Sequence, residues 1–289
     1  MEPVKILCVL VYALSLFSCG KGDHFFNDPT YPADSSHELR NIPYGEDPTQ
    51  IMDIYLPAYR SDSTKVFFLI HGGGWSAGSR ADMESYYHNL KSLYPEQAIV
   101  NLEYRLGTEA SPGYPKQIED IGLALEEIKK PRYGISQDYF LLGVSAGAHL
   151  AMLYGYKYDT PHSVKGICNT VGPADFTDPS LAGNEAFATA LSFFIGPETY
   201  GQNPGLWEET SPACHITSRA PKTISFYGSE DPLVPPTQMD LLHGALDTAG
   251  VYNEKTMYTG EGHGGWNPGN TADYSARLIH FIDQHFIGN

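Results

Sequence analysis

Between residues 37 and 287 the spacing of apolar positions switches repeatedly, and the switches mark out strands and helices in turn. HELRNIPYG (37–45) and QIMDIYLPA (50–58) alternate in part and close on Pro or Gly, which predicts two strands. KVFFLIHG (65–72) is a continuous apolar run, the pattern of a strand covered on both faces. Met83, Tyr86, Tyr87, Leu90 and Leu93 fall at spacings of three and four and predict a helix over 82–93. AIVNLEYR (98–105) returns to a strand. In 114–131, Ile118, Ile121, Leu125 and Ile128 share one helical face, and Pro131 stops the helix.

YFLLGVS (139–145) predicts a strand, and AGAHLAMLYGYKY (146–158) a helix that follows it without a loop. VKGICNTVG (164–172), KTISFYGSE (222–230) and EKTMYTG (254–260) read as strands; PTQMDLLHGALDTAG (236–250) and 271–287 read as helices. The stretch 173–220, rich in Gly, Pro, Asp and aromatics, reads as an irregular insertion. Strand and helix alternating from residue 65 onward predict an α/β fold: a mostly parallel central sheet with helices on both faces. One domain over 37–289 is expected, with 173–220 as a small cap.

A hydrophobic content of 42% with 12% aromatics is that of a chain with a packed core. The formal charge of -16, from 34 acidic against 18 basic residues, disfavours nucleic acid and other polyanions as partners. The N-terminal segment adds a different expectation. Lys5 precedes an uncharged run from Ile6 to Phe17, too short to span a bilayer but suited to the apolar region of a secretory signal. That run ends in Leu16-Phe17-Ser18-Cys19, which resembles a bacterial lipoprotein cleavage box, with Cys19 as the lipidated first mature residue. Residues 1–18 would then be the signal peptide and 19–36 a lipidated N-terminus and polar tether, holding an exported, periplasmic or cell-surface protein to the membrane. An ordinary signal with a chance cysteine is the alternative. Cys168 and Cys214 remain in the domain, read as two buried thiols, with a disulfide between them as the other reading.

Gly143-Val144-Ser145-Ala146-Gly147 carries the G-x-S-x-G spacing in the context it requires: strand, abrupt turn, helix. Larger side chains at Gly143 and Gly147 would collide where the helix passes the strand. Ser145 would stand exposed at the positive end of that helix, although a serine N-cap in an ordinary turn has the same local pattern. A serine hydroxyl needs a base and an orienting carboxylate, expected here in the chain order Ser, acid, His. Among the late histidines, His243, His280 and His285 fall within predicted helices and read as surface residues. His263 lies in GEGHGGW (260–266), at the carboxyl end of the last strand, where catalytic groups gather. Asp231, in the stiff turn YGSEDPLVP (227–235), is the favoured acid, with Glu230 as the near alternative and Asp240 a poor one. Donors for a developing oxyanion are expected from the N–H of Ala146 and from the glycines of HGGGW (71–75). Replacing Gly73 with alanine is expected to lower turnover more than stability.

HGGGW (71–75), GVSAGAHLA (143–151), EDPLVP (230–235) and GHGGW (262–266) together resemble α/β-hydrolase esterases near the hormone-sensitive-lipase and feruloyl/acetyl-esterase groups. The similarity extends through YGEDPTQIMDIYLP (44–57), NLEYRL (101–106) and SPACHI (211–216). It implies an α/β-hydrolase fold, a triad of Ser145, Asp231 and His263, oxyanion donors at Gly73, Gly74 and Ala146, a structural His71, and no metal or organic cofactor. Val144 and the Gly147-Ala148 pair depart from the lipase-like branch and point toward relatives acting on carbohydrate esters and formamides. The expected function is a serine carboxylesterase for short acyl esters, such as acetyl or feruloyl groups on an oligosaccharide. An arylformamidase or small peptidase, or a non-catalytic carbohydrate-binding protein on the same fold, are the alternatives. The cap aromatics Phe176, Phe187, Phe193, Phe194, Tyr200 and Trp207 are expected mainly to form the cap's own small core.

Overall fold

A computed structural model describes residues 30–182 and 184–288. The signal segment, Cys8, Cys19 and most of the expected tether lie outside the described residues. Eight strands form one sheet: β1 (His37–Pro43), β2 (Ile51–Leu56), β3 (Val66–Ile70), β4 (Ala98–Leu102), β5 (Tyr139–Val144), β6 (Val164–Thr170), β7 (Lys222–Gly228) and β8 (Asn253–Tyr258). Their spatial order is β1-β2-β4-β3-β5-β6-β7-β8. β1 pairs with β2, and β2 with β4, antiparallel; β3 runs parallel to both β4 and β5, and the remaining pairs are parallel.

The apolar runs are continuous because successive residues enter opposite layers, each covered by helices. Val66, Phe68 and Ile70 face one core with α2 (Lys116–Ile128) and α3 (Ala146–Leu153), to which α7 (Thr237–Ala249) adds Leu242 and Leu246. Phe67 and Leu69 face the other, with α1 (Glu84–Leu93) and α8 (Pro268–Ile282). All eight residues of α3 are buried, which accounts for its lack of a polar face.

After β3 the chain crosses to β4 on one side, and the next strand, β5, lies on the other side of β3. The crevice above the carboxyl ends of β3 and β5 is therefore the topological switch point of the sheet, where open α/β sheets bind ligands. HGGGW leaves β3 there, and Ser145 leaves β5.

Three of the sequence expectations change. The 173–220 insertion is not irregular: it holds α4 (Pro179–Ala182), α5 (Glu185–Ile195) and α6 (Pro204–Glu209). Asn184 and Asn203 cap α5 and α6 through their side chains, and Pro204 occupies the first turn of α6, so residues read as loop formers act as helix starts. Cys168 is buried but Cys214 is exposed, and both are free thiols. The last residues of the expected tether pack on the domain: Tyr31 stacks on Tyr133 at 5.8 Å, and the buried Arg60 donates to the carbonyls of Tyr31, Pro32 and Ser35.

Candidate active site

Ser145 sits between β5 and α3 with φ 54° and ψ -121°, a conformation that non-glycine residues rarely adopt. It is held by its neighbours. Its N–H donates to Thr170 O at 2.8 Å, and its carbonyl accepts from His149 N at 3.0 Å. A Cβ on Gly147 would stand 2.2 Å from Ile70 O, and one on Gly143 2.4 Å from Ala148 N, so both glycines of the motif answer to close backbone approach. Trp75 (φ 61°) and Val171 (φ 50°), leaving β3 and β6, share the unusual backbone region. Of the six non-glycine residues with positive φ among those described, Val171 lines the cleft on one side of Ser145 and Trp75 the chamber on the other. Strain gathered in this way marks a functional site more often than a purely structural one.

The structure brings Ser145, His263 and Asp231 into one hydrogen-bonded chain. His263 Nε2 lies 2.8 Å from Ser145 Oγ, and His263 Nδ1 lies 2.6 Å from Asp231 Oδ2. The buried Asp231 carboxylate spends its other oxygen on the N–H groups of Leu233 and Val234, at 2.8 and 2.9 Å. Because an ionised carboxylate only accepts, Nδ1 carries the proton and Nε2 is left free to take one from the serine. Glu230 points to solvent and takes no part. The histidine loop is fastened by Glu261, whose carboxylate accepts from Asn267 N at 2.9 Å and Asn270 Nδ2 at 2.7 Å. Gly228 lets that loop lie against β7, since a Cβ there would stand 2.2 Å from Glu261 O.

Among the described residues, the N–H groups of Gly73, Gly74 and Ala146 donate to no protein acceptor. Each peptide plane is held from its carbonyl side instead. His71 Nδ1 lies 2.7 Å from Gly72 O, which turns the Gly73 N–H the opposite way across a planar trans peptide. Gly73 O accepts from Ser76 N and Ala77 N at 3.2 and 2.9 Å and sets the Gly74 N–H in the same manner. The bond from His149 N to Ser145 O does so for Ala146, at the positive end of α3. His71 is buried, stacked on Tyr104 at 4.1 Å, with its Nε2 3.6 Å from Glu103.

Two residues that sequence reasoning passed over complete the frame. Trp75 Nε1 donates to His149 Nδ1 at 3.2 Å, and His149 Nε2 donates to Thr210 O at 2.8 Å. His149 therefore ties the glycine loop, the helix behind Ser145 and the cap together. Burial pushes its pKa down to about 3, the Thr210 carbonyl opposing only in part, so the ring is neutral. Phe176, Phe187 and Phe194 surround Trp75 within 5.1 to 6.1 Å, so the cap aromatics pack on the main domain and not only on one another. The expected surface role of His243 also fails: it is fully buried in α7, beside Asn253. No local pattern in HGGGW or GAHLA signals the Trp75–His149 contact, which joins residues 74 positions apart.

Two spaces meet at Ser145. One is a cleft of about 680 Å³ that reaches from Gly72–Gly74 to α1 and α8, with Ser85, Asn89, Thr271 and Ser275 among its lining and Trp266 on one wall. The other is a chamber of about 70 Å³ between Ala146 and the cap. This arrangement can activate a hydroxyl, hold an oxyanion and seat two unequal substituents of a carbonyl carbon.

Comparison with known proteins agrees with the architecture. The chain is 26% identical over 217 residues to Esterase LipC of Mycobacterium tuberculosis, covering 69% of this chain and 52% of that protein. It is 26% identical over 233 residues to Esterase LipQ of the same organism, covering 74% and 54%. It thus spans about half the length of these curated relatives. A solved structure described as a truncated form of carbohydrate esterase from gut microbiota superposes with a TM-score of 0.72 at 20% identity, over 87% of this chain and 98% of that one. That likeness shows the fold, an α/β-hydrolase fold. The BD-FAE family model matches residues 52–246, from the second strand through most of α7 and across Ser145 and Asp231, and the chain belongs to that family.

Proposed function

We propose that the protein is a serine carboxylic ester hydrolase, with Ser145 as nucleophile, His263 as general base and then acid, and Asp231 as the group that orients the imidazole. The observation that carries this reading is the unbroken chain from Asp231 through His263 to Ser145 Oγ, at 2.6 and 2.8 Å. Ser145 Oγ attacks the ester carbonyl while His263 Nε2 takes its proton. The tetrahedral oxyanion is held by the N–H groups of Gly73, Gly74 and Ala146. His263 returns the proton to the alkoxy oxygen as the carbon–oxygen bond breaks, and the alcohol leaves. Water then repeats the sequence on the acyl-enzyme, releasing the acid and Ser145.

The esterase names of both curated relatives support the reaction class. The wide cleft supports a polyhydroxylated alcohol: hydroxyl and amide side chains line it beside an indole face, the combination that meets the edge hydroxyls and apolar face of a sugar ring. The carbohydrate esterase similar in fold points the same way. Anchoring of an exported protein through Cys19 belongs to the same proposal, on its N-terminal sequence pattern alone.

Hydrolysis of para-nitrophenyl acetate tests the assignment. Ser145→Ala is expected to lower kcat by at least about a thousand-fold without a change in thermal midpoint. Retained turnover in that variant would remove Ser145 from the chemistry.

A further inference from the structure

The chamber behind Ser145 is small and of one chemical character. Gly74 and Ala146 close it toward the oxyanion side, Pro173 lies at one wall, and Ala186, Phe187 and Ala190 of α5 form the cap side. Ser145 and His263 themselves supply its polar side-chain groups. Ala190 stands directly against the glycine loop, 3.3 Å from where a Cβ on Gly74 would be. α5 thus fixes the depth of the chamber.

An ester carbonyl held at Ser145 has two substituents to place, and the two spaces differ in polarity. Hydroxyls buried in the chamber would find no partners, at a penalty of roughly 1–3 kcal/mol each. The cleft offers side-chain partners to the alcohol, which leaves the apolar acyl chain to the chamber. Volume then sets its length. Ser145 itself lines this space of about 70 Å³, so the carbonyl carbon bonded to its Oγ counts among the two or three heavy atoms, at about 30 Å³ each, that it holds, whereas benzene occupies a cavity of about 150 Å³.

We infer that α5 of the cap, through Ala186, Phe187 and Ala190, limits the acyl group to two or three carbons, so that acetyl and propionyl esters are substrates and aromatic acyl groups are excluded. This rests on the ester hydrolase reading above and decides between its acetyl and feruloyl forms.

The test is kcat/KM for para-nitrophenyl acetate, propionate, butyrate and hexanoate, with methyl ferulate alongside, and fluorophosphonate labelling of Ser145 as a separate measure of a competent nucleophile. The wild-type protein is expected to lose at least about ten-fold between propionate and hexanoate, and to turn over methyl ferulate more slowly still. Ala190→Val shortens the chamber and is expected to depress propionate about ten-fold more than acetate, while Ala190→Gly raises butyrate relative to acetate. Should the valine variant fail to fold, the wild-type series and the glycine variant decide the matter. Hexanoate or ferulate hydrolysed as fast as acetate would move the acyl group to the wide cleft and overturn the inference while leaving the esterase reading intact. No labelling and no hydrolysis of any ester would overturn both.

Discussion

Glycine does three different things within HGGGW. Gly72 has an ordinary backbone, but a Cβ there would press on Val144 O at 2.9 Å and Ser145 Cβ at 3.3 Å, so it is small to let the loop touch the turn at Ser145. Gly73 combines φ +117° with a distance of 2.1 Å to Ala77 O, and alanine there would displace the loop itself. The expectation that Gly73→Ala lowers turnover more than stability is therefore revised: both are expected to fall together. Gly74, at φ +54°, would bring a Cβ to 3.3 Å from the Ala190 side chain, a tight contact with a methyl group and not with backbone, and is the better probe. Gly74→Ala is expected to reduce kcat for para-nitrophenyl acetate at least about ten-fold while unfolding free energy drops by only about 1–2 kcal/mol, the strain of a left-handed alanine. Unchanged kcat with the same loss of stability would show that a side chain at residue 74 obstructs neither the substrate oxygen nor the direction of the residue 74 N–H.

At the level of elements, the junctions carry more constraint than the elements themselves. β5 and α3 meet without a loop because Gly143 and Gly147 allow the helix to lie on the backbone of its own strand and of β3. Gly147→Ala would place a methyl 2.2 Å from Ile70 O and 2.3 Å from His71 O, atoms that cannot rotate away. Loss of about 3 kcal/mol or more, or failure to fold, is expected in denaturant unfolding. Gly244 supplies the contrast: it lies in α7 with nothing within 4 Å of an added Cβ, and Gly244→Ala should stabilise by about 1 kcal/mol. Equal effects at the two sites would refute the close-approach account. The helix over 146–158 was legible from the strand–turn–helix context of G-x-S-x-G, not from a periodic face, and it runs through α3 into a π-helical turn at Tyr154–Tyr158. The cap helices were not, since α4 and α6 are too short to show a period and α5 is apolar on most sides.

For the whole molecule, the buried neutral histidines tie stability to pH. His149 is held near pKa 3 and His243 below its usual value, both by burial, while in the unfolded chain each titrates near 6.5. The unfolded state therefore binds protons that the folded state refuses. The resulting stability is present in full above about pH 6.5 and is lost as pH falls; for His149 the loss continues toward pH 3, at about 1.4 kcal/mol per unit, and His243 adds a loss of the same sign. Unfolding measured between pH 7 and 4.5 should show that decline, and His149→Gln, less stable at pH 7, should show a shallower one. A slope unaltered by His149→Gln would mean that this ring takes up a proton in the fold. Because His149 also joins the glycine loop to the cap, the same variant is expected to lower kcat more than it raises KM.

What the sequence determined by itself is whatever local pattern encodes: periodicity set the eight strands' core and the long helices, turn chemistry placed Ser145 between strand and helix, and chain order pointed to Asp231 and His263 as its neighbours. These are legible because each depends on residues within about one element of one another. The tertiary structure decided what depends on distant neighbours. His263 meets Ser145 across 118 positions, and Asp231 meets His263 because the loops after β7 and β8 are neighbours in the sheet. The His149 link and the depth of the chamber under α5 are properties of packing between segments far apart in the chain, and no window along the sequence contains both sides of those contacts.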